Sequence, residues 1–126
     1  MFGAEEMLGD WPAWKRLIEQ LSISPNINKR RASLVLLNAP VHYSDDGRFG
    51  DLGFATIDRL KSERPILITK AISWLLRSMV TRRPEAVTRY LAENASSLPA
   101  IAVRETTTKI ETGTKFGRSR RPASRG

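Results

Sequence analysis

A large aromatic residue lies between cations at helical spacing within residues 65–81. Lys70 precedes Trp74 by four positions and Arg77 follows it by three, and residues three or four apart are neighbours on a helix. An indole exposed between cations can stack on a nucleobase or contact a cationic ligand, while Lys and Arg can bind phosphates. The same spacing also suits an indole packed on an adjoining helix, with the cation stems covering the ring. The pattern alone leaves both interpretations open.

Composition excludes several other kinds of chemistry. The chain has no Cys and a single His, His42, which removes disulfides, thiolate nucleophiles, Cys-based zinc sites and paired His sites. We therefore expect neither a metal nor a cofactor. No apolar run reaches the roughly 18 residues of a membrane span, and the start of the chain is acidic where a signal peptide is basic. We expect a soluble, cytoplasmic protein that does not bind a membrane.

The positive charge is concentrated at the end of the chain. The 126 residues carry a net charge of +8, and residues 113–126 contain no acid. Because Gly, Ser and Pro are interspersed among the cations, we predict that residues 114–126 form a basic disordered tail. This tail could dominate non-specific binding to phosphate backbone, or it could be a solvated extension. Its cations are Lys115, Arg118, Arg120, Arg121 and Arg125.

Helix signals recur before this tail, and the alternation typical of strands is not sustained anywhere. We therefore predict an all-α protein. The first helix should begin after Asp10 as a cap, with Pro12 in its first turn. The polar residues 42–47 should form a loop, and Gly113 should end the last helix. Beyond the first helix, we predict helices over residues 27–37, 48–60 and 65–81, from Pro84 onward, and over 97–113.

Residues 65–81 give the strongest helix pattern. At about 100° per residue, the centre of their apolar stripe lies roughly 135° from Trp74. We therefore expect the indole to lie off the core face and to be partly exposed. The stripe consists of Ile68, Ala71, Ile72, Leu75, Leu76 and Met79.

The predicted helices form a repeated unit. The helix pairs begin near Asp10, Gly47 and Pro84, about 37 residues apart, which is within the range of helical repeats. The second helices also share a cation followed by Ala and, at the same offset, a Leu-Leu pair. We predict a HEAT-like domain over residues 1–113, in which three antiparallel helix pairs form part of an α-α superhelix. Equivalent helices would line its concave face.

The repeat places several cations on one surface with the indole. Aligning the second helices puts Arg31 at the position of Lys70. The adjacent Arg30 points about 100° away on a helix, so one of the two arginines can face a partner. The candidate binding residues are therefore Arg31, Lys70, Trp74, Arg77 and, on the sixth helix, Arg104.

Three segments resemble the DNA alkylation repair family of HEAT-repeat DNA glycosylases. The first is Asn-Lys-Arg-Arg-Ala-Ser at 28–33, the second is Lys-Ala-Ile-Ser-Trp-Leu-Leu-Arg at 70–77, and the third is Ala-Val-Arg-Glu at 102–105. The likeness runs from about Trp14 to Gly113 and corresponds to the C-terminal half of the family.

The resemblance implies a protein that excises cationic N3- or N7-alkylated purines from double-stranded DNA, acting as a monomer. Carried over by position, Arg31 would contact the backbone at the lesion and Trp74 would pack beside the damaged nucleotide. The family's acidic residue lies upstream of the matched region, so no residue here takes its role. We expect an N-terminally truncated copy of the enzyme. The alternative is a non-catalytic helical-repeat scaffold that binds nucleic acid or protein.

Overall fold

The computed structural model describes residues 3–113, and the tail predicted for residues 114–126 lies outside the described residues. Within residues 3–113 the chain forms eight helices and no strand, which confirms the all-α prediction. The same residues contain no helix with the length and apolarity that crossing a membrane requires. The helices are α1 (Ala4–Gly9), α2 (Trp11–Ser22), α3 (Ile27–Val35), α4 (Asn38–Tyr43), α5 (Gly47–Leu60), α6 (Ile66–Val80), α7 (Pro84–Asn94) and α8 (Ala100–Thr112).

Three successive helix pairs, α2/α3, α5/α6 and α7/α8, form two layers. The first helices make one layer, in which α2 packs on α5 and Phe54 of α5 meets Tyr90 of α7 with ring centroids 4.6 Å apart. In the other layer α6 is central: α3 and α4 pack on one side of it and α8 on the other. The predicted helical repeat with three pairs is therefore confirmed.

The backbone before each helix repeats as well. Pro65 and Pro99 precede α6 and α8 with nearly equal dihedral angles, φ −56° and ψ 137° against φ −58° and ψ 137°. Asp10 and Arg83 precede α2 and α7 with φ −144° and ψ 58° against φ −138° and ψ 57°. Proline fixes its own φ, which accounts for the shared φ of Pro65 and Pro99. The matching dihedral angles give similar entry geometries in different pairs.

Two short helices were not predicted from the sequence. Helix α1 contributes the fully buried Met7 to the core, so its burial depends on tertiary packing. Helix α4 overlaps the start of the predicted loop, and Pro40 is its third residue. Proline is tolerated in a first turn because the N–H groups there have no intrahelical acceptor. The prediction of a loop beginning at His42 was therefore wrong, since α4 continues to Tyr43.

The predicted cap at Asp10 does not form. Asp10 occupies the position before α2, but its side chain makes no capping hydrogen bond. At the start of α5, Asp46 does act as a cap and accepts a hydrogen bond from the Arg48 backbone N–H at 3.0 Å. Hydrogen bonds from the side chain and the backbone of Arg48 lower the pKa of Asp46 to about 2.

Arg83 makes three hydrogen bonds to the backbone that connects α4 and α5. The Arg83 guanidinium donates to the carbonyl oxygens of Val41 at 2.7 Å, Ser44 at 3.0 Å and Asp46 at 3.3 Å. Its side chain passes against α5 at Gly50, where a Cβ would lie 2.9 Å from Arg83 Nε. The glycine that weakens the helix pattern of α5 therefore makes room for this side chain.

We predict that Gly50→Ala destabilises the fold. Over-packing costs about 1–3 kcal/mol, which exceeds the gain in helix propensity of about 1 kcal/mol, because the bonded guanidinium cannot move aside. Urea unfolding should show a net loss of up to about 2 kcal/mol. The matched control is Gly47→Ala in the same helix, where a Cβ meets no atom within 4 Å. Equal stability of the two variants would contradict the close approach of Arg83 to Gly50.

Candidate functional site

Trp74 lies on the outer surface of the layer formed by α4, α6 and α8. Its side chain is 40% exposed, whereas the apolar stripe of α6 is buried. The indole therefore lies off the core face, as the periodicity predicts. Most buried positions of α6 are apolar, and Ser73, next to the indole in sequence, is the polar one.

Two open clefts meet at this indole. The first, which we call the Lys109 cleft, lies between α6 and α8 and has a volume of about 170 Å³; the second, which we call the Tyr43 cleft, lies between α4 and α6 and has a volume of about 290 Å³. Among the described residues, no carboxylate lines either cleft. The Lys109 cleft is lined by His42, Trp74, Arg77, Ser78, Thr81 and Lys109. The Tyr43 cleft is lined by Asn38, Ala39, His42, Tyr43, Trp74 and Ser78.

A polar network holds the arginine of the Lys109 cleft. Arg77 Nε donates to Ser73 Oγ at 3.2 Å, and this hydroxyl donates to Glu105 Oε1 of α8 at 2.7 Å. Arg77 Nη2 lies 3.9 Å from the same carboxylate oxygen, and the side chains of Arg77 and Glu105 are only 20% and 13% exposed. A buried polar group must be hydrogen-bonded to avoid a desolvation cost. The network therefore fixes the guanidinium beside Trp74.

A second polar contact fixes the floor of the Tyr43 cleft. Ser78 Oγ of α6 donates to Asn38 Oδ1 of α4 at 2.8 Å, and Asn38 is only 4% exposed. This bond ties the first turn of α4 to α6. It sets the distance between Trp74 and the end of α4, where Tyr43 lies.

Three of the predicted binding residues lie outside both clefts. Lys70 is exposed one turn before Trp74, Arg104 is exposed on α8, and Arg31 is half-buried on α3. None of them takes part in the ion pairs found between residues 3 and 113. The structure thus brings Trp74 together with Arg77, and the binding roles of all five candidates stay predictions.

The two adjacent arginines of α3 differ in their surroundings. Arg30 Nε donates to Glu63 Oε2 at 2.8 Å, and its Nη1 donates to the Ser24 carbonyl oxygen at 2.9 Å. Arg30 therefore links the ends of two helix pairs. Arg31 remains as the arginine able to face a partner.

Sequence reasoning missed most of the residues that line the clefts, including His42, Tyr43 and Lys109. His42 and Tyr43 belong to the segment predicted as a loop, whereas the structure places both in the last turn of α4. Lys109 is one of two cations on α8, with Arg104, and which turn of α8 lies beside Trp74 depends on the packing of α8 on α6. No sequence signal singles it out. Between residues 3 and 113 there is also no group of three or more His, Asp or Glu side chains placed to hold a metal ion.

We predict that Glu105→Gln lowers stability, because it leaves the largely buried Arg77 without its counter-charge. The expected loss in the free energy of unfolding is about 1–3 kcal/mol. Glu111→Gln removes an exposed carboxylate from the same helix and should change stability by less than about 0.5 kcal/mol. Urea denaturation of both variants measures the difference. Equal effects would argue against a structural role for the Arg77 network.

Comparison with known proteins assigns the chain to a family. No curated protein and no solved structure matches the chain. A family model described as DNA alkylation repair enzyme matches residues 2–110, which include every residue that lines the two clefts. Because this match covers most of the 126 residues, the chain belongs to the DNA alkylation repair family.

Proposed function

We propose that this protein binds double-stranded DNA through the Trp74 face, meaning the residues that line the two clefts, and excises N3- or N7-alkylated purines. It would do so as a cytoplasmic monomer, by hydrolysis of the N-glycosidic bond. The observation that carries the proposal is the exposed indole of Trp74, set beside Arg77 and Lys109 in a member of a DNA alkylation repair family.

The distribution of charge supports this orientation on DNA. The clefts at Trp74 contain cations and no carboxylate among the described residues. The groove between α5 and α7, in the other layer, is lined by Asp51, Asp58 and Glu93 with one arginine, Arg89. Phosphates are attracted to cations and repelled by carboxylates. DNA should therefore approach the layer that carries Trp74.

The chemistry of the lesion suits an indole. Alkylation at N3 or N7 gives the purine a positive charge, and the face of a tryptophan ring attracts a cation by about 0.5–2 kcal/mol. The charged base is also a good leaving group. The reaction instead requires stabilisation of the positive charge that develops on the sugar. In glycoside hydrolysis a carboxylate provides this stabilisation.

One observation favours a second candidate, binding of alkylated DNA without excision. Glu105 is the carboxylate tied to the Arg77 side of the Lys109 cleft, but it accepts a hydrogen bond from Ser73 and faces Arg77. It is therefore held away from the role of stabilising a sugar cation. Under this second candidate function, the Trp74 face recognises the alkylated base and another protein excises that base.

We predict that Trp74→Ala weakens discrimination between alkylated and unmodified DNA. The ratio of the two dissociation constants, measured with duplexes that differ by one N7-methylguanine, should fall by about 2- to 30-fold, since it loses a cation–π contact. Trp74→Phe should retain part of the ratio. Helical circular dichroism of each variant checks that the fold is kept. Equal losses on both duplexes would contradict the lesion contact.

Release of free methylpurine from the same alkylated duplex separates the two candidates. The excision proposal expects release by the purified full-length chain and a slower release by Trp74→Ala. Tight binding to the alkylated duplex without release would favour the second candidate. Absence of both binding and release would overturn both.

The exposed cations give a separate test through salt dependence. Each phosphate contact contributes roughly 0.9 to the slope of log K against log salt concentration. Lys70→Gln should therefore lower the slope by roughly that amount. The matched control is Arg89→Gln, which removes an exposed cation from the opposite layer and should leave the slope unchanged. A slope that responds equally to both substitutions would contradict the proposed orientation.

A further inference from the structure

Tyr43 is a large aromatic residue left almost entirely in solvent at the end of α4. Its side chain is 72% exposed. Its ring meets the His42 ring edge to face, with centroids 4.5 Å apart and an interplanar angle of 83°. A single exposed apolar residue is ordinary, but this one borders the same cleft as the exposed Trp74. Two partly free aromatic faces therefore lie on either side of one opening.

The backbone that carries Tyr43 is fixed by two arginines. Arg82 Nε donates to the His42 carbonyl oxygen at 2.9 Å, and Arg83 donates to the carbonyl oxygens of Val41 and Ser44. The residues immediately before and after Tyr43 are thus both held. A rigid aromatic residue loses little conformational entropy on binding, which is how binding sites gain affinity by preorganisation. The fold therefore holds the backbone that carries Tyr43 in a fixed position beside the cleft.

The charges around the cleft fit a polyanion. Arg77 and Lys109 lie on the other side of Trp74. Arg82 is 35% exposed beside the His42 end and is paired at 3.0 Å with the exposed Asp45. An occupant that matches both features has flat π-faces on an anionic chain, which describes a nucleotide in a strand.

We propose that the Tyr43 cleft binds an unpaired nucleobase, stacked on Tyr43 and bordered by Trp74. In a continuous duplex the faces of each base are covered by its neighbours, so only a base displaced from the stack can offer its face. His42 would contribute the second edge of the aromatic wall. This inference rests on the proposed function because its ligand is DNA, but it requires neither a lesion nor excision.

The test compares two unmodified duplexes, one fully paired and one with a single bulged adenine. The wild-type chain should bind the bulged duplex more tightly. Tyr43→Ala should reduce this preference by about 5- to 150-fold, the range that corresponds to loss of one base–aromatic stack. If the wild-type preference is smaller than this range, Tyr43→Ala should abolish it. Tyr43→Phe should retain it because the ring remains. The salt slope should be the same in all three proteins, since no charge is removed.

A matched control is Ile66→Ala, which removes an exposed apolar side chain, 66% exposed, that lines neither cleft. It should leave the preference unchanged. Equal binding of the two duplexes by the wild-type chain would overturn the inference, as would Tyr43→Ala weakening both alike. Methylpurine release from the alkylated duplex, measured in parallel, separates this inference from the proposed function. Release without a preference for the bulged duplex would overturn this inference alone. Absence of binding to both duplexes, together with absence of methylpurine release from the alkylated duplex, would overturn it along with the proposed function.

Discussion

Helix α6 is enclosed by other helices over most of its surface, and the arrangement of the whole molecule depends on this enclosure. It packs against α3 and α4 on one side, α8 on the other, and α5 and α7 behind. A polar side chain in such surroundings needs a partner, which Ser73 finds in Glu105 of α8. The strip of α6 that remains uncovered includes Lys70 and Trp74. Enclosure of one helix therefore both builds the core and defines the exposed strip.

Hydrogen bonds and ion pairs between polar side chains join each helix pair to the next. Lys61 Nζ donates to Asn94 Oδ1 at 2.8 Å, and the Tyr90 hydroxyl donates to Asp58 Oδ1 at 2.6 Å. Burial and this hydrogen bond raise the pKa of Tyr90, which keeps the phenol protonated as a donor. Contacts of this kind link nearest neighbours, as expected for a stack of repeats. Arg30 makes a contact of this kind with Glu63, whereas Arg31 makes none of the ion pairs found among the described residues.

The two layers differ in chemistry as well as in position. The layer containing α6 presents an indole, a phenol and an imidazole at two clefts with Arg77 and Lys109, whereas the groove between α5 and α7 presents mainly carboxylates. A polyanion with aromatic bases is attracted to the two clefts at Trp74 and repelled at the groove between α5 and α7. This asymmetry is consistent with the proposed approach of DNA to the layer that carries Trp74.

The sequence by itself determined the helical class, the repeat of helix pairs, the family, and the position of Trp74 off the core face. These follow from local periodicity, from prolines at helix starts and from short motifs, all of which are properties of neighbouring residues. Only the tertiary structure decided that α4 brings Tyr43 beside Trp74, that Lys109 joins the indole, and that Arg30 is committed to an ion pair while Arg31 is not. The reason is physical: a cleft between helices depends on how they pack and on partners tens of residues away, and neither is encoded in the spacing within one helix.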